Sequence, residues 1–219
     1  MADVNTVRQL NNAGATSLTD GDIDTAQSLL HLALGDLRLD LAQFPGIAFE
    51  VNGARPNLDP FMVPIHQNLC GGDLGVSPNN SFHVFTKAFV LPETETDFDG
   101  IAVILMYNFG VVLQRRGVMT GQRQELTKAK KIYGMATTLL KLMEDRGRTV
   151  CQALAVALWN NLGYLHSHFL EFAKVHESKE KIREYLARGN ELSREDLLFF
   201  HQTVLFLDNC DIASLAAAA

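Results

Sequence analysis

Basic residues are in short supply in this 219-residue chain: 19 lysines and arginines face 25 aspartates and glutamates, a net charge of -6. A surface of that sign does not neutralise phosphates, so nucleic acid is not an expected partner. Cysteine is scarcer still. Cys70, Cys151 and Cys210 are odd in number, widely separated and without C-x-x-C spacing. They suit a reducing compartment and neither a disulfide framework nor a zinc site. No window reads as the ~20 apolar residues that span a bilayer, so no membrane association is expected. The opening Met1-Ala-Asp-Val-Asn has no basic and apolar leader regions and is not rich in Arg and Ser. The expected address is the cytoplasm, with the nucleus as the other compartment open to such a chain.

Signs of catalysis are also missing. There is no G-x-S-x-G elbow. Gly71-Gly72-Asp73-Leu74-Gly75 lacks the spacing and the lysine of a phosphate loop. Cys70 beside Gly71-Gly72 is a tempting thiol, but nothing in the sequence sets a histidine beside it. His166 and His168 are two apart and so diverge on a helix, while His31 and His201 lie within apolar helical runs. The expectation is no metal, no cofactor and no enzyme. The alternative is an enzyme or small-ligand protein with a pocket between an irregular insertion and the helices.

What the chain does have is a repeated oddity: Asn12-Ala13-Gly14, Asn108-Phe109-Gly110 and Asn161-Leu162-Gly163. Each lies within an apolar run of helical spacing, where glycine costs roughly 1 kcal/mol relative to alanine. A cost met three times in one context predicts close approach of a second helix. Small residues at suitable distance point the same way: Ala26 and Ala33 around Leu30, and Ala129 and Ala136 around Tyr133. Gly110 is expected near Ala129 or Ala136, and Gly163 near residues 173–185. Around Gly163 the text Trp159-x2-Leu162-Gly163-x2-His166 is close to the W-x2-L-G-x2-Y opening of a tetratricopeptide repeat.

On these residues the chain resembles tetratricopeptide-repeat-like (TPR-like) helical repeat proteins. Its Asn11-Asn12 and Asn160-Asn161 pairs resemble repeats of the kinesin-light-chain type. With an extended Phe82–Leu91 segment between repeats, it is also similar to TPR-like proteins of unicellular algae. The fold implied is mostly all-α: antiparallel helical hairpins stacked as an irregular α-solenoid, over one domain, 1–219. The glycines lie 96 and 53 residues apart, not at the regular 34 of tandem repeats, hence the irregularity.

Element by element, helices are predicted over 4–18, from Ile23 through a stripe ending at Leu41, from Asp97 or Asp99 to Arg116, and from Gln124 to Arg146. Thr149 is predicted to cap a fifth, ending near Glu171, and Gly117–Arg123 is read as a loop. The stretch 173–190 carries alternating charges, and Ser193-Arg-Glu-Asp196 reads as a capping box opening a last helix through Leu207. The insertion, about 44–98, holds most of the prolines. Short strands are predicted there at Phe61–Ile65 and Phe82–Leu91. In the second, Phe82, Val84 and Val90 should form one face, with His83 and Lys87 opposite.

Side chains two apart on a helix diverge by about 200°. If the three glycines face a partner helix, Asn12, Asn108 and Asn161 face the other way, toward the concave side of a stack. A carboxamide donates and accepts, so it pairs with extended main chain of any sequence. The resemblance implies the same use, since groove asparagines clamp peptide backbones in tetratricopeptide domains. Arg8, Asn11, Tyr107, Val111, Arg115, Asn160, Tyr164 and His168 share that side by helical position. The expected function is a non-catalytic protein-interaction adaptor that holds an extended peptide of a partner protein in this groove. The competing use of the asparagines is to brace neighbouring repeats. If they are free without a partner, Asn108→Ala/Asn161→Ala should leave thermal stability unchanged. A basic cluster of Arg115, Arg116, Arg123, Lys128, Lys130 and Lys131 against Glu125 could receive an acidic group or serve as a solvated face.

Overall fold

A computed structural model describes residues 3–37, 62–63, 82–93, 97–189 and 192–217, with side chains to residue 209 and backbone alone at 62–63. Cys70, the Gly71–Gly75 run, Leu41 and most of the insertion lie outside the described residues. Among those described are seven helices and almost no strand: α1 Val4–Asp20, α2 Ile23–Asp36, α3 Phe98–Thr120, α4 Arg123–Asp145, α5 Gln152–His168, α6 Phe172–Arg188 and α7 Arg194–Ala217. Two short strands, β1 Met62–Val63 and β2 Ala88–Phe89, pair antiparallel in the register Met62↔Phe89 and Val63↔Ala88. The protein is thus mostly α-helical.

The chain forms two compact units that interleave along the sequence. One comprises Met1–Gln67 and Thr86–Cys151, the other Asn68–Phe85 and Gln152–Ala219. In the first, α1 packs on α2 and α3 on α4 as two helical hairpins, with α2 and α1 also against α3. In the second, α5 and α6 form a hairpin on which α7 packs.

The glycines explain why these pairs approach. A Cβ built on Gly14 would lie 2.7 Å from Leu30 Cγ, one on Gly110 2.4 Å from Tyr133 Cε1, and one on Gly163 3.0 Å from Ser178 Cβ. Each glycine therefore leaves a notch for the following helix. The occupant differs from the expected one. Gly110 faces Tyr133, not Ala129 or Ala136. The large side chain is the knob, and the alanines on either side, fully buried, let it reach in. Gly117 plays the same part against Leu126 Cδ2 at 2.6 Å. That is why α3 runs on to Thr120 where a loop was predicted from Gly117 onward. Elsewhere the boundaries shift by a residue or two, and α5 starts at Gln152, so Thr149 does not cap it. The Ser193 cap is present: its Oγ accepts from Asp196 N at 3.1 Å and donates to Asp196 Oδ2 at 2.6 Å.

By length and composition, α3 is apolar enough to cross a membrane, with a mean hydropathy of 1.2 that the sequence reading passed over. It is the central helix of the first unit, and Ile101–Leu113 is buried throughout. Its start is tied to the end of α4, where Arg148 Nη1 donates to Asp97 Oδ1 at 2.8 Å and to Asp99 Oδ2 at 2.7 Å. Burial raises the Asp99 carboxyl above the usual aspartate range, and Arg148 works against that rise.

Candidate functional site: carboxamides on an extended segment

An extended strand turns the N–H and C=O of every second residue to the same edge. A carboxamide offers one acceptor and two donor hydrogens at matching distance, so it can occupy that edge as a neighbouring strand would. The asparagines of this chain do this, and the strand they hold is its own.

In the first unit, Asn108 Oδ1 accepts from Phe89 N at 2.9 Å while its Nδ2 donates to Phe89 O at 2.7 Å. Asn12 treats Leu91 alike, accepting from its N at 2.7 Å and donating to its O at 2.9 Å. Asn11 joins the two. Its Nδ2 donates to Phe89 O at 3.2 Å and to Asn12 Oδ1 at 3.1 Å, and its Oδ1 accepts from Asn108 Nδ2 at 2.9 Å. Tyr107 adds its hydroxyl, donating to Lys87 O at 3.0 Å. Phe89 is fully buried, edge-on to the Tyr107 ring at 5.0 Å, and Tyr107 in turn meets Tyr133 at 6.1 Å.

The second unit repeats the device. Asn161 Oδ1 accepts from Phe85 N and its Nδ2 donates to Phe85 O, both at 2.8 Å. Asn160 Nδ2 donates to His83 O at 3.0 Å and to Asn161 Oδ1 at 3.1 Å. Phe85 packs on Phe200 and Phe199 at 4.8 and 5.4 Å, and Phe82 on Tyr164 and Phe206 at 5.8 and 6.4 Å.

Of the residues expected on this side, Asn11, Asn12, Tyr107, Asn108, Asn160 and Asn161 all touch the segment, and Tyr164 touches Phe82. The others do not. Val111 is core. Arg115 donates from Nη1 to Leu18 O at 3.0 Å at the end of α1, and its burial lowers the guanidinium pKa. Arg8 bonds Asn5, and His168 is exposed, its ring beside Phe169. The basic cluster divides too: Arg116 pairs with Gln27 and Asp24, and Lys128 with Glu125.

Two expectations need correction. The carboxamides of Asn108 and Asn161 are fully buried and bonded to the chain's own backbone, so they are not free. The buried face of the segment is Phe85, Ala88, Phe89 and Leu91, while Val84 and Val90 are only half-buried. Sequence alternation had favoured Val84 and Val90 and treated Phe85 and Phe89 as noise. Those two phenylalanines are the anchors, because they flank or fill the aromatic gaps beside the asparagines.

Among the described residues no three His, Cys, Asp or Glu side chains gather as a metal site. No family model, curated protein or solved structure matches this chain.

Proposed function

We propose that this protein is a non-catalytic interaction adaptor of TPR-like, solenoid-forming character that recognises extended polypeptide, and that residues 82–91 are its resident occupant. A partner's extended segment takes the same carboxamides by exchange with that occupant. One observation supports this above others: Asn12, Asn108 and Asn161 each hold both polar groups of a single backbone residue. Such contacts read main chain, not sequence, and do not depend on which chain supplies it. The resident strand also sets what a competitor needs, namely large apolar side chains in the places of Phe85, Phe89 and Leu91.

The test uses a labelled synthetic peptide spanning residues 82–93. Phe85→Ala/Phe89→Ala loosens the resident segment and leaves every carboxamide in place, so this variant should bind the peptide more tightly than wild type. Adding Asn108→Ala/Asn161→Ala should weaken that binding tenfold or more, at about 1 kcal/mol per hydrogen bond lost. Circular dichroism confirms that each variant is folded. A folded Phe85→Ala/Phe89→Ala variant that ignores the peptide would show that the asparagines serve their own strand alone.

A further inference from the structure

Three helix ends in this protein share one hydrogen-bond pattern. After α1, Gly21 N donates to Leu18 O and Asp22 N to Ser17 O; after α4, Gly147 N donates to Glu144 O and Arg148 N to Met143 O. After α5, Leu170 N donates to Ser167 O and Glu171 N to His166 O. This is the Schellman turn, whose pivotal residue is left-handed and for that reason usually glycine. The first two ends obey, with φ of 87° at Gly21 and 71° at Gly147. The third places Leu170 at φ 59°, the one non-glycine residue of positive φ among those described.

Strain of this kind persists where something else requires the side chain. Packing does not require it here, because Leu170 is 71% exposed. Two residues on, Phe172 is 69% exposed. The turn is instead held from below: buried His166 Nδ1 meets Glu171 Oε2 at 2.5 Å, and Lys174 Nζ lies 3.8 Å from the same oxygen. The sequence thus supports a strained turn that projects a leucine and a phenylalanine into solvent.

We infer that the α5–α6 turn is a second docking element, a Leu170–Phe172 anchor that inserts into an apolar pocket of a partner protein. Its size and charge select that occupant. The two side chains present on the order of 250 Å² of apolar surface, well short of the ~800 Å² per subunit of a stable dimer. One lysine beside them, in a chain of net charge -6, is no polybasic patch for an anionic bilayer. A pair of large apolar residues at a protruding tip has the form of an interface hot spot. This inference stands apart from the asparagine site and does not depend on it.

The experiment compares the full-length chain with Leu170→Gly. Relief of strain should raise the melting temperature by about 2–4 °C, and an unchanged or lower value would overturn the strain argument. A photo-crosslinking residue in place of Phe172, irradiated in an extract of the source cells, should give one discrete adduct. That adduct should vanish in the Leu170→Gly background and be absent when the crosslinker replaces exposed Leu205. Three results would overturn the assignment: an adduct indifferent to Leu170→Gly, flotation with phosphatidylcholine–phosphatidylserine vesicles that depends on Phe172, or concentration-dependent dimerisation abolished by Phe172→Ala.

Discussion

Gly110 and Gly134 are both helical glycines of the α3–α4 hairpin, yet they should respond oppositely to the same methyl group. At Gly110 the new carbon meets the fully buried ring of Tyr133, so Gly110→Ala should destabilise by about 1–3 kcal/mol through overpacking. At Gly134 nothing lies within 4 Å, so Gly134→Ala should gain up to ~1 kcal/mol of helix propensity. Urea midpoints of the two variants, compared at equal slope, decide the matter. The asparagines order themselves by burial. Asn108→Ala strands the Phe89 N–H inside the protein and should cost about 2–3 kcal/mol, whereas half-buried Asn12 should cost nearer 1 kcal/mol. If neither variant moves the midpoint, the carboxamide clamps contribute nothing to stability. At this scale the sequence told a good deal. Helical geometry alone turned Gly14, Gly110 and Gly163 toward a neighbouring helix and the asparagines away from it. It could not reveal that Tyr133 fills the notch, because a glycine admits a large knob as readily as a small one. Nor could it say whose backbone the carboxamides hold, since main-chain recognition leaves no trace in the bound residues.

Among elements, the strand over 82–91 behaves unlike an ordinary sheet strand, because side chains and not a neighbouring strand hold most of one edge. Amide exchange should therefore alternate. The N–H groups of Phe85, Phe89 and Leu91 are bonded to carboxamides and should exchange slowly, while those of Val84 and Thr86 exchange much faster. Uniform protection along the segment would mean that a continuous partner strand covers it. The helix starts carry a pH signature of their own. Hydrogen bonds from Thr25 hold the Asp22 carboxyl below the usual aspartate range. A depressed carboxylate stabilises the fold above its unfolded pKa, and that contribution is lost as pH falls through the folded value. Asparagine caps without titrating, so Asp22→Asn should match wild type near neutrality and lose less stability from about pH 4 downward. Identical acid profiles would rule the cap out as a titrating contributor. Helices were legible because their stripes are long, as with Ala26, Leu30 and Ala33 in α2. The strand's inward face was not. Phe85 and Phe89 are four residues apart, a spacing that reads as helical period, and only the aromatic partners on α7 and α3 explain their burial.

For the whole molecule, the consequential fact is that neither compact unit is contiguous in sequence. The second unit takes residues 68–85 from far upstream and the rest from 152 onward. Its aromatic core needs both pieces, because Phe85 meets Phe199 and Phe200 while Phe82 meets Tyr164 and Phe206. Asn161 lacks its backbone partner unless Phe85 is present. A fragment of residues 152–219 should therefore be weakly helical by itself, as small domains with an incomplete core are. Adding a peptide of residues 80–87 in trans should restore helicity and shift the fluorescence of Trp159, the chain's one tryptophan, which adjoins the Asn160–Asn161 clamp in α5. The response should saturate, and replacing Phe85 by alanine in the peptide should weaken it tenfold or more, in line with a loss of about 3 kcal/mol for a buried phenylalanine. Asn161→Ala in the fragment should weaken it again by removing both hydrogen bonds to Phe85. A fragment already fully helical and indifferent to the peptide would show that α5, α6 and α7 complete their own core, and the segment would then be a passenger on that unit and not a part of it.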